Sequence, residues 1–202
     1  MMKYALIGAL YAFAAAVQPG PFQAYLISQA LTHGWRKTLL AACAPLLSDG
    51  PIIALTLFVL STVPGWLVQF LRCAGGLFLL YLAFGAYRNW RDYDTITGAP
   101  VTSPERSMIK AAMINLLNPN PYLGWSLVTG PLLLQGWRES PANGIGLMVA
   151  FYATLIAGSM CIVLIFARAR SFGARVNKYM IGFSVVALAA FGAYQLWSGV
   201  VS

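Results

Sequence analysis

Apolar residues dominate six stretches of the chain, and short polar stretches separate them. The apolar runs cover residues 4–32, 38–62, 66–90, 107–134, 141–167 and 177–199. An α-helix needs about 20 apolar residues to cross the hydrocarbon core of a bilayer, and each run is long enough. The pattern predicts an all-α polytopic membrane protein with six transmembrane helices.

The composition agrees with this interpretation. The chain has 202 residues, of which 59% are hydrophobic and 9% are charged, whereas soluble domains carry about 25% charged residues. The formal net charge is +8, but the basic residues flank the apolar runs instead of forming one basic surface, so we expect no nucleic-acid partner. No catalytic constellation lies within the runs, and we expect neither an enzyme nor a cofactor.

The motif QPGPFQAY interrupts the first apolar run at residues 18–25. Proline lacks a backbone N–H and clashes with the preceding helical turn, so Pro19 and Pro21 predict a break at membrane depth. A cleaved signal peptide is the alternative interpretation of this run, because Lys3, the apolar stretch and residues 12–14 resemble that layout. The recurrence of the motif later in the chain favours a membrane helix.

Three motifs of the first half recur in the second half in the same order. QPGPFQAY at 18–25 matches NPNPYLGW at 118–125, HGWR at 33–36 matches QGWR at 135–138, and AFGAY occurs at 83–87 and 190–194. The offsets of 100, 102 and 107 residues predict a duplicated unit of three helices. Since an odd number of spans reverses the second copy, we predict two inverted repeats at 1–90 and 106–202, each with its first helix broken at the P-x-P motif.

The distribution of Lys and Arg predicts the orientation. The loops that follow the first, third and fifth helices hold ten basic residues: Arg36, Lys37, Arg88, Arg91, Arg106, Lys110, Arg168, Arg170, Arg175 and Lys178. The opposite side holds three, Lys3, Arg72 and Arg138. Because basic loops stay in the cytoplasm, we expect both termini outside and a cytoplasmic linker at 91–105.

The two P-x-P motifs predict a binding site. Non-helical backbone within a membrane is tolerated where it lines a cavity, and paired breaks in corresponding helices mark transporter sites. A break exposes N–H groups that can hold a carboxylate and carbonyls that can meet an ammonium group, and an amino acid carries both charges. The expected substrate-binding residues are Gln18, Pro19, Gly20, Pro21, Phe22, Gln23, Asn118, Pro119, Asn120, Pro121 and Tyr122.

Asp49 is the one acidic residue within an apolar run. A charged group at the bilayer centre costs at least about 2.5 kcal/mol on insertion scales, so we expect Asp49 to face a cavity. There it would bind the substrate amine or carry a coupling proton. The alternative is a solvated carboxylate at a helix end, because Gly50 and Pro51 follow it.

The sequence leaves two other functions open. A metal or ion exporter would gather several Asp, Glu, His or Cys ligands, and the runs contain one aspartate. A thiol–disulfide carrier would need two cysteines that can approach each other, and Cys43, Cys73 and Cys161 lie in three different runs. The residue pattern favours transport of a zwitterion over either function.

The chain resembles the LysE/RhtB family of amino-acid exporters over nearly its whole length. The resemblance rests on PGP at 19–21, H-G-W-R at 33–36, Asp49, a G-x-x-x-L-x-Y-L-like stretch that ends at Leu82, and N-L-L-N-P at 115–119. It implies a six-helix inner-membrane exporter of amino acids or related small metabolites, which is oligomeric and driven by the proton gradient. Carried over by position, it points to Pro19, Gly20, Pro21, Asp49, Asn118 and Pro119.

The chain departs from the family pattern at three places near the expected pocket. Phe22 follows PGP where the family usually has Asn, and Ser48 precedes the aspartate where Gly is usual. Asn120 and Pro121 stand where Lys-Ala or a similar pair is common. These differences concern the substrate and leave the predicted fold unchanged.

Overall fold

The computed structural model describes residues 1–59, 63–92, 103–169 and 172–201, and all regular structure in these ranges is helical. The helices are α1 (Met2–Val17), α2 (Pro21–His33), α3 (Trp35–Thr38), α4 (Ala44–Ala54), α5 (Gly65–Arg91), α6 (Pro104–Leu116), α7 (Pro119–Gly124), α8 (Gly130–Glu139), α9 (Pro141–Ala169) and α10 (Ala174–Val201). A 3-10 turn at Leu39–Cys43 joins α3 to α4, and π-helical turns at Leu55–Val59 and Trp125–Thr129 follow α4 and α7. The end of the predicted second span, most of the predicted linker and Arg170 lie outside the described residues.

Among the described residues, four helical stretches are long and apolar enough to cross a membrane. They are Trp35–Phe58, Gly65–Arg91, Pro141–Ala169 and Ala174–Val201, and the bent pair α1 and α2 makes a fifth if it counts as one span. The predicted run 107–134 is not among them, because the break before α7 and the polar residues Lys110, Asn115 and Asn118 interrupt it. The helical multi-pass architecture is confirmed, whereas the total of six spans and the inverted repeats stay predictions.

Large apolar side chains cover the outside of the described helices. Phe58, Phe183 and Phe84 are 82%, 75% and 61% exposed. A water-soluble protein rarely presents apolar surface on this scale, but a bilayer solvates it without cost. The outward residues therefore support the membrane location that the apolar runs predict.

Both predicted helix breaks are present. Between α1 and α2 the chain turns by 62°, and α7 begins three residues after the last residue of α6. Pro21 is the first residue of α2 and Pro119 is the first residue of α7, although the sequence match aligns Pro21 with Pro121. Asn118 caps α7 with its side chain, which allows this helix to begin two residues earlier within its motif.

Helix α1 packs against α9. Its buried residues, Tyr4, Gly8, Ala12 and Ala16, recur every four positions and form one face. A β-carbon on Gly8 would lie 2.6 Å from the carbonyl oxygen of Leu147 in α9, so the two backbones are in direct contact. This packing makes α1 an integral helix of the fold and supports the membrane-helix interpretation of the first run.

Helix α5 is the last helix of the first predicted repeat, and α10 is the last helix of the second. The two helices cross at glycines. A β-carbon on Gly76 would lie 2.7 Å from Cγ of Leu196 and 2.8 Å from the carbonyl oxygen of Gly192. Small residues allow such close approach of membrane helices. Gly192 belongs to the second AFGAY motif, while a β-carbon on Gly85 of the first motif would meet no atom of the described residues within 4 Å. The crossing lies within one chain.

We expect Gly76→Ala to destabilise the protein by about 1–3 kcal/mol, the usual cost of overpacking a well-packed core. The added methyl group would overlap the α10 backbone at Gly192 and Leu196, so the two helices would have to move apart. Gly85→Ala in the same helix is the matched control, and should be neutral or slightly stabilising because alanine is the better helix former. Thermal unfolding in detergent measures both variants, and equal stabilities would contradict the crossing.

Candidate functional site

A cavity of about 150 Å³ lies between the two helix breaks. Ten of the twelve predicted site residues line it, and the exceptions are Pro119 and Tyr122. The ten are Gln18, Pro19, Gly20, Pro21, Phe22, Gln23, Asp49, Asn118, Asn120 and Pro121. The two motifs, one hundred residues apart in sequence, thus form a single wall together with Asp49 of α4.

Asp49 is deeply buried in this wall, with 3% of its surface exposed. It lies within α4, which continues through Pro51 to Ala54, so the interpretation as a solvated helix-end carboxylate is wrong. The side-chain amide of Asn115 donates to Oδ1 at 2.7 Å, and the Tyr152 hydroxyl donates to Oδ2 at 3.1 Å. The Trp125 indole also interacts with the carboxylate.

No basic side chain pairs with Asp49 among the residues that the structure describes. The salt bridge found among the described residues joins Arg91 to Asp92, with 2.7 Å between Nε of Arg91 and Oδ1 of Asp92. A buried carboxylate is costly when it lacks a counter-charge, and hydrogen bonds to neutral donors offset that cost only in part. The site is therefore electrostatically complementary to a cation or to a proton.

Asn115 connects Asp49 to the neighbouring helix. Its amide nitrogen lies 2.8 Å from Oγ of Ser48 as well as 2.7 Å from the carboxylate. Sequence reasoning placed Asn115 in a family motif but not in the site, although a buried amide one helical turn before Asn118 was a usable signal. Tyr152 was missed because its position in α9 gives no local signal, and only the packing of α9 on α1, α2 and the 3-10 turn before α4 brings its hydroxyl to Asp49.

The first break offers free backbone donors to the cavity. Gly20 precedes α2 and has no side chain to cap it, and Pro21 has no N–H. The first backbone hydrogen bond of α2 runs from Ala24 to the carbonyl of Gly20 at 2.9 Å. The N–H groups of Phe22 and Gln23 therefore have no acceptor within the described ranges, and they carry the positive end of the helix dipole.

The second break offers no such donors. The Asn118 side chain accepts the N–H of Asn120 at 3.1 Å, and Pro119 and Pro121 have no N–H to give. The hydroxyl of Tyr122 donates to the carbonyl of Leu116 at 3.0 Å, so this side chain satisfies the end of α6 and does not reach the cavity. The backbone N–H groups at the start of α7 are thus absent or occupied, so the predicted binding of a carboxylate here would depend on the side-chain amides of Asn118 and Asn120.

The carbonyl groups freed by the breaks are partly satisfied. The amide nitrogen of Gln23 donates to the carbonyls of Ala15 and Ala16 at 3.1 and 3.3 Å. Gln23 thus stabilises the end of α1 as well as lining the cavity. The carbonyls of Val17 and Leu117 lose their usual donors because the residue four positions later is proline in both motifs. The occupied carbonyls leave Asp49 as the stronger acceptor for an ammonium group.

We expect Asn115→Leu to lower the free energy of unfolding by about 1–3 kcal/mol, because it removes donors from the buried Ser48 hydroxyl and Asp49 carboxylate. Adding Asp49→Leu to this variant should recover much of the loss, since apolar replacement of both partners is close to neutral. Thermal unfolding in detergent checks both proteins. A double variant less stable than Asn115→Leu would show that the Asn115–Asp49 pair is not the source of the loss.

The two alternative functions, metal export and thiol–disulfide exchange, would require clustered metal ligands or paired cysteines. In the described parts of the chain, no group of three or more His, Cys, Asp or Glu side chains is gathered in one place. Cys43, Cys73 and Cys161 are free thiols. Asp49 is the carboxylic acid among the described residues that line the cavity.

The comparison with protein families agrees with these features. The family described as LysE type translocator matches residues 13–199, a range that includes both breaks and Asp49. No curated protein and no solved structure shows significant similarity to the chain. Because the match covers nearly all of the chain, the protein belongs to the LysE type translocators, a family of membrane transporters.

Proposed function

We propose that this protein exports amino acids or closely related zwitterionic metabolites by proton-coupled alternating access. One observation carries the proposal: the buried carboxylate of Asp49, which has no basic partner among the described residues, and the uncapped N-terminus of α2 line the same small cavity. Opposite charges at two positions of one cavity are complementary to a zwitterion. Membership of a transporter family supports movement of a ligand over its chemical conversion.

The substrate carboxylate would bind the N–H groups of Phe22 and Gln23. Charge-assisted hydrogen bonds contribute about 1.5–3 kcal/mol each, and the dipole of α2 adds to this attraction. The substrate amine would bind Asp49, which the donors Asn115 and Tyr152 hold in place. The α-carbon then lies between the two groups, and its side chain faces the remaining wall.

Proton coupling follows from the chemistry of one carboxyl group. Asp49 can form an ion pair with an ammonium group when ionised, or it can carry a proton, and the two states exclude each other. A ligand shifts a conformational equilibrium through its different affinities for the two states. Exchange of an outgoing amine for an incoming proton at Asp49 would therefore couple efflux to the proton gradient.

The two breaks belong to the first helices of the predicted inverted repeats, and relative movement of the two halves would open the cavity to each side in turn. The bias of ten basic residues to three supports a cytoplasmic linker and both termini outside, in an inner membrane of bacterial type. We also propose that the protein assembles into a homo-oligomer through its lipid-facing helices.

The test is efflux from proteoliposomes loaded with a mixed panel of amino acids, with and without an imposed pH gradient, and measured by mass spectrometry. We expect gradient-dependent loss of at least one amino-acid class. Folded protein that releases no amino acid under either condition would contradict the proposal. Inverting the gradient provides the internal control for coupling.

A further inference from the structure

The charged side chains of the cavity wall limit which charges of a substrate can be paired. Asp49 is its acidic residue, and no Lys, Arg or His lies among the described residues that line it. In the proposed function, Asp49 and the α2 N-terminus are both occupied by the amine and carboxylate of the substrate. A further charge on the substrate side chain would have no partner, and an unpaired buried charge costs several kcal/mol.

The wall has an apolar part beside the amide side chains that the two breaks contribute. Trp125, Phe151 and Leu155 are 2%, 5% and 8% exposed and belong to one packed cluster. The ring of Phe151 lies 5.5 Å from that of Trp125 and 6.3 Å from that of Tyr11, between ring centres. Leu155 follows Phe151 by one helical turn of α9, so both side chains face the same surface. This apolar part of the wall favours an apolar substrate side chain.

The size of the cavity limits the ligand. A closed apolar cavity of about 150 Å³ accepts a molecule of the size of benzene, and this cavity has the same volume. Alanine has as many heavy atoms as benzene, and leucine has three more, for which the open side of this partly open cavity leaves room. An indole or phenyl side chain requires movement of the packed rings.

We infer that the substrate class is the α-amino acids with uncharged aliphatic side chains, from alanine to leucine, and that Phe151 and Leu155 set the upper size limit. This inference rests on the proposed function and names its substrate. Lysine, arginine, glutamate and aspartate are excluded by charge, and tryptophan is excluded by size.

The experiment uses proteoliposomes loaded with equal concentrations of alanine, leucine, phenylalanine, tryptophan, lysine and glutamate. We expect wild-type protein to release leucine at least about a hundredfold faster than lysine or glutamate, since an unpaired buried charge opposes binding of the latter two. Release of lysine or glutamate at a rate close to that of leucine overturns the inference and leaves the proposed function standing. Release of no amino acid overturns the proposed function itself.

Two variants of Leu155 test the wall. Leu155→Ala should raise the phenylalanine-to-leucine ratio about tenfold, and Leu155→Phe should lower the leucine-to-alanine ratio by a similar factor, the usual effect of reshaping an apolar pocket. Val149→Ala is the matched control, because Val149 lies on the same helix and is 62% exposed to the outside. Ratios that stay at the wild-type values in either folded Leu155 variant overturn the assignment of this wall.

Discussion

Replacing Asp49 with asparagine should reduce amino-acid efflux at least about thirtyfold and abolish its dependence on the pH gradient. Asparagine keeps the shape of the side chain but cannot form an ion pair with the amine or carry a proton. Loss of one partner of a buried charge pair costs about 2–5 kcal/mol, and about 1.4 kcal/mol corresponds to a tenfold change in affinity. Efflux and substrate binding measured in the same proteoliposomes check the prediction.

Asp92→Asn is the control for this variant. Asp92 follows α5 at the end of the span and accepts a hydrogen bond from Arg91, which holds the pKa of its carboxyl below its usual range. It does not line the cavity, so its loss should leave efflux unchanged. If Asp49→Asn retained gradient-driven efflux like Asp92→Asn, Asp49 would have no role in coupling.

A negative charge at the first break should compete with the substrate. Gly20→Asp places a carboxylate where it can cap the N–H groups of Phe22 and Gln23, as an N-cap aspartate does in other helices. The backbone there is extended, with φ −164°, and a β-carbon would meet Oε1 of Gln23 at 3.4 Å, so a side chain fits. We expect substrate affinity to fall about a hundredfold, because two charge-assisted hydrogen bonds are lost.

Two further substitutions at Gly20 separate charge from shape. Gly20→Asn can cap the same groups without the negative charge, and Gly20→Ala adds no acceptor. The expected order of affinity is Ala above Asn above Asp, and titration calorimetry with leucine in detergent measures it. Equal affinities for the Ala, Asn and Asp variants would mean that the carboxylate does not bind at the N-terminus of α2.

The asymmetry between the two breaks bears on how duplicated halves share one site. Both motifs carry prolines that end a helix, but glycine precedes α2 while asparagine precedes α7. One break therefore presents unpaired donors and the other is internally satisfied. Since a zwitterion has one carboxylate, a single open N-terminus is sufficient, and Asp49 supplies the opposite pole.

The sequence by itself determined the class of protein and the positions of the breaks. Long apolar runs cannot be buried within a chain of this size, and proline lacks the N–H that a helix needs, whatever surrounds it. Asp49 was identifiable for a similar reason, because a lone acid in an apolar run requires a special environment. These conclusions depend on covalent chemistry and on the cost of transfer to lipid, which act on each segment separately.

Only the tertiary structure decided how these parts meet. The donors Asn115 and Tyr152 reach Asp49 because α6 and α9 pack near α4, and no local pattern fixes those distances. Gln23 and Tyr122 were both expected at the substrate, but each satisfies a carbonyl at a broken helix end, and Tyr122 leaves the cavity entirely. Buried polar groups take the nearest available partner, and which partner is nearest depends on contacts between residues far apart in the chain.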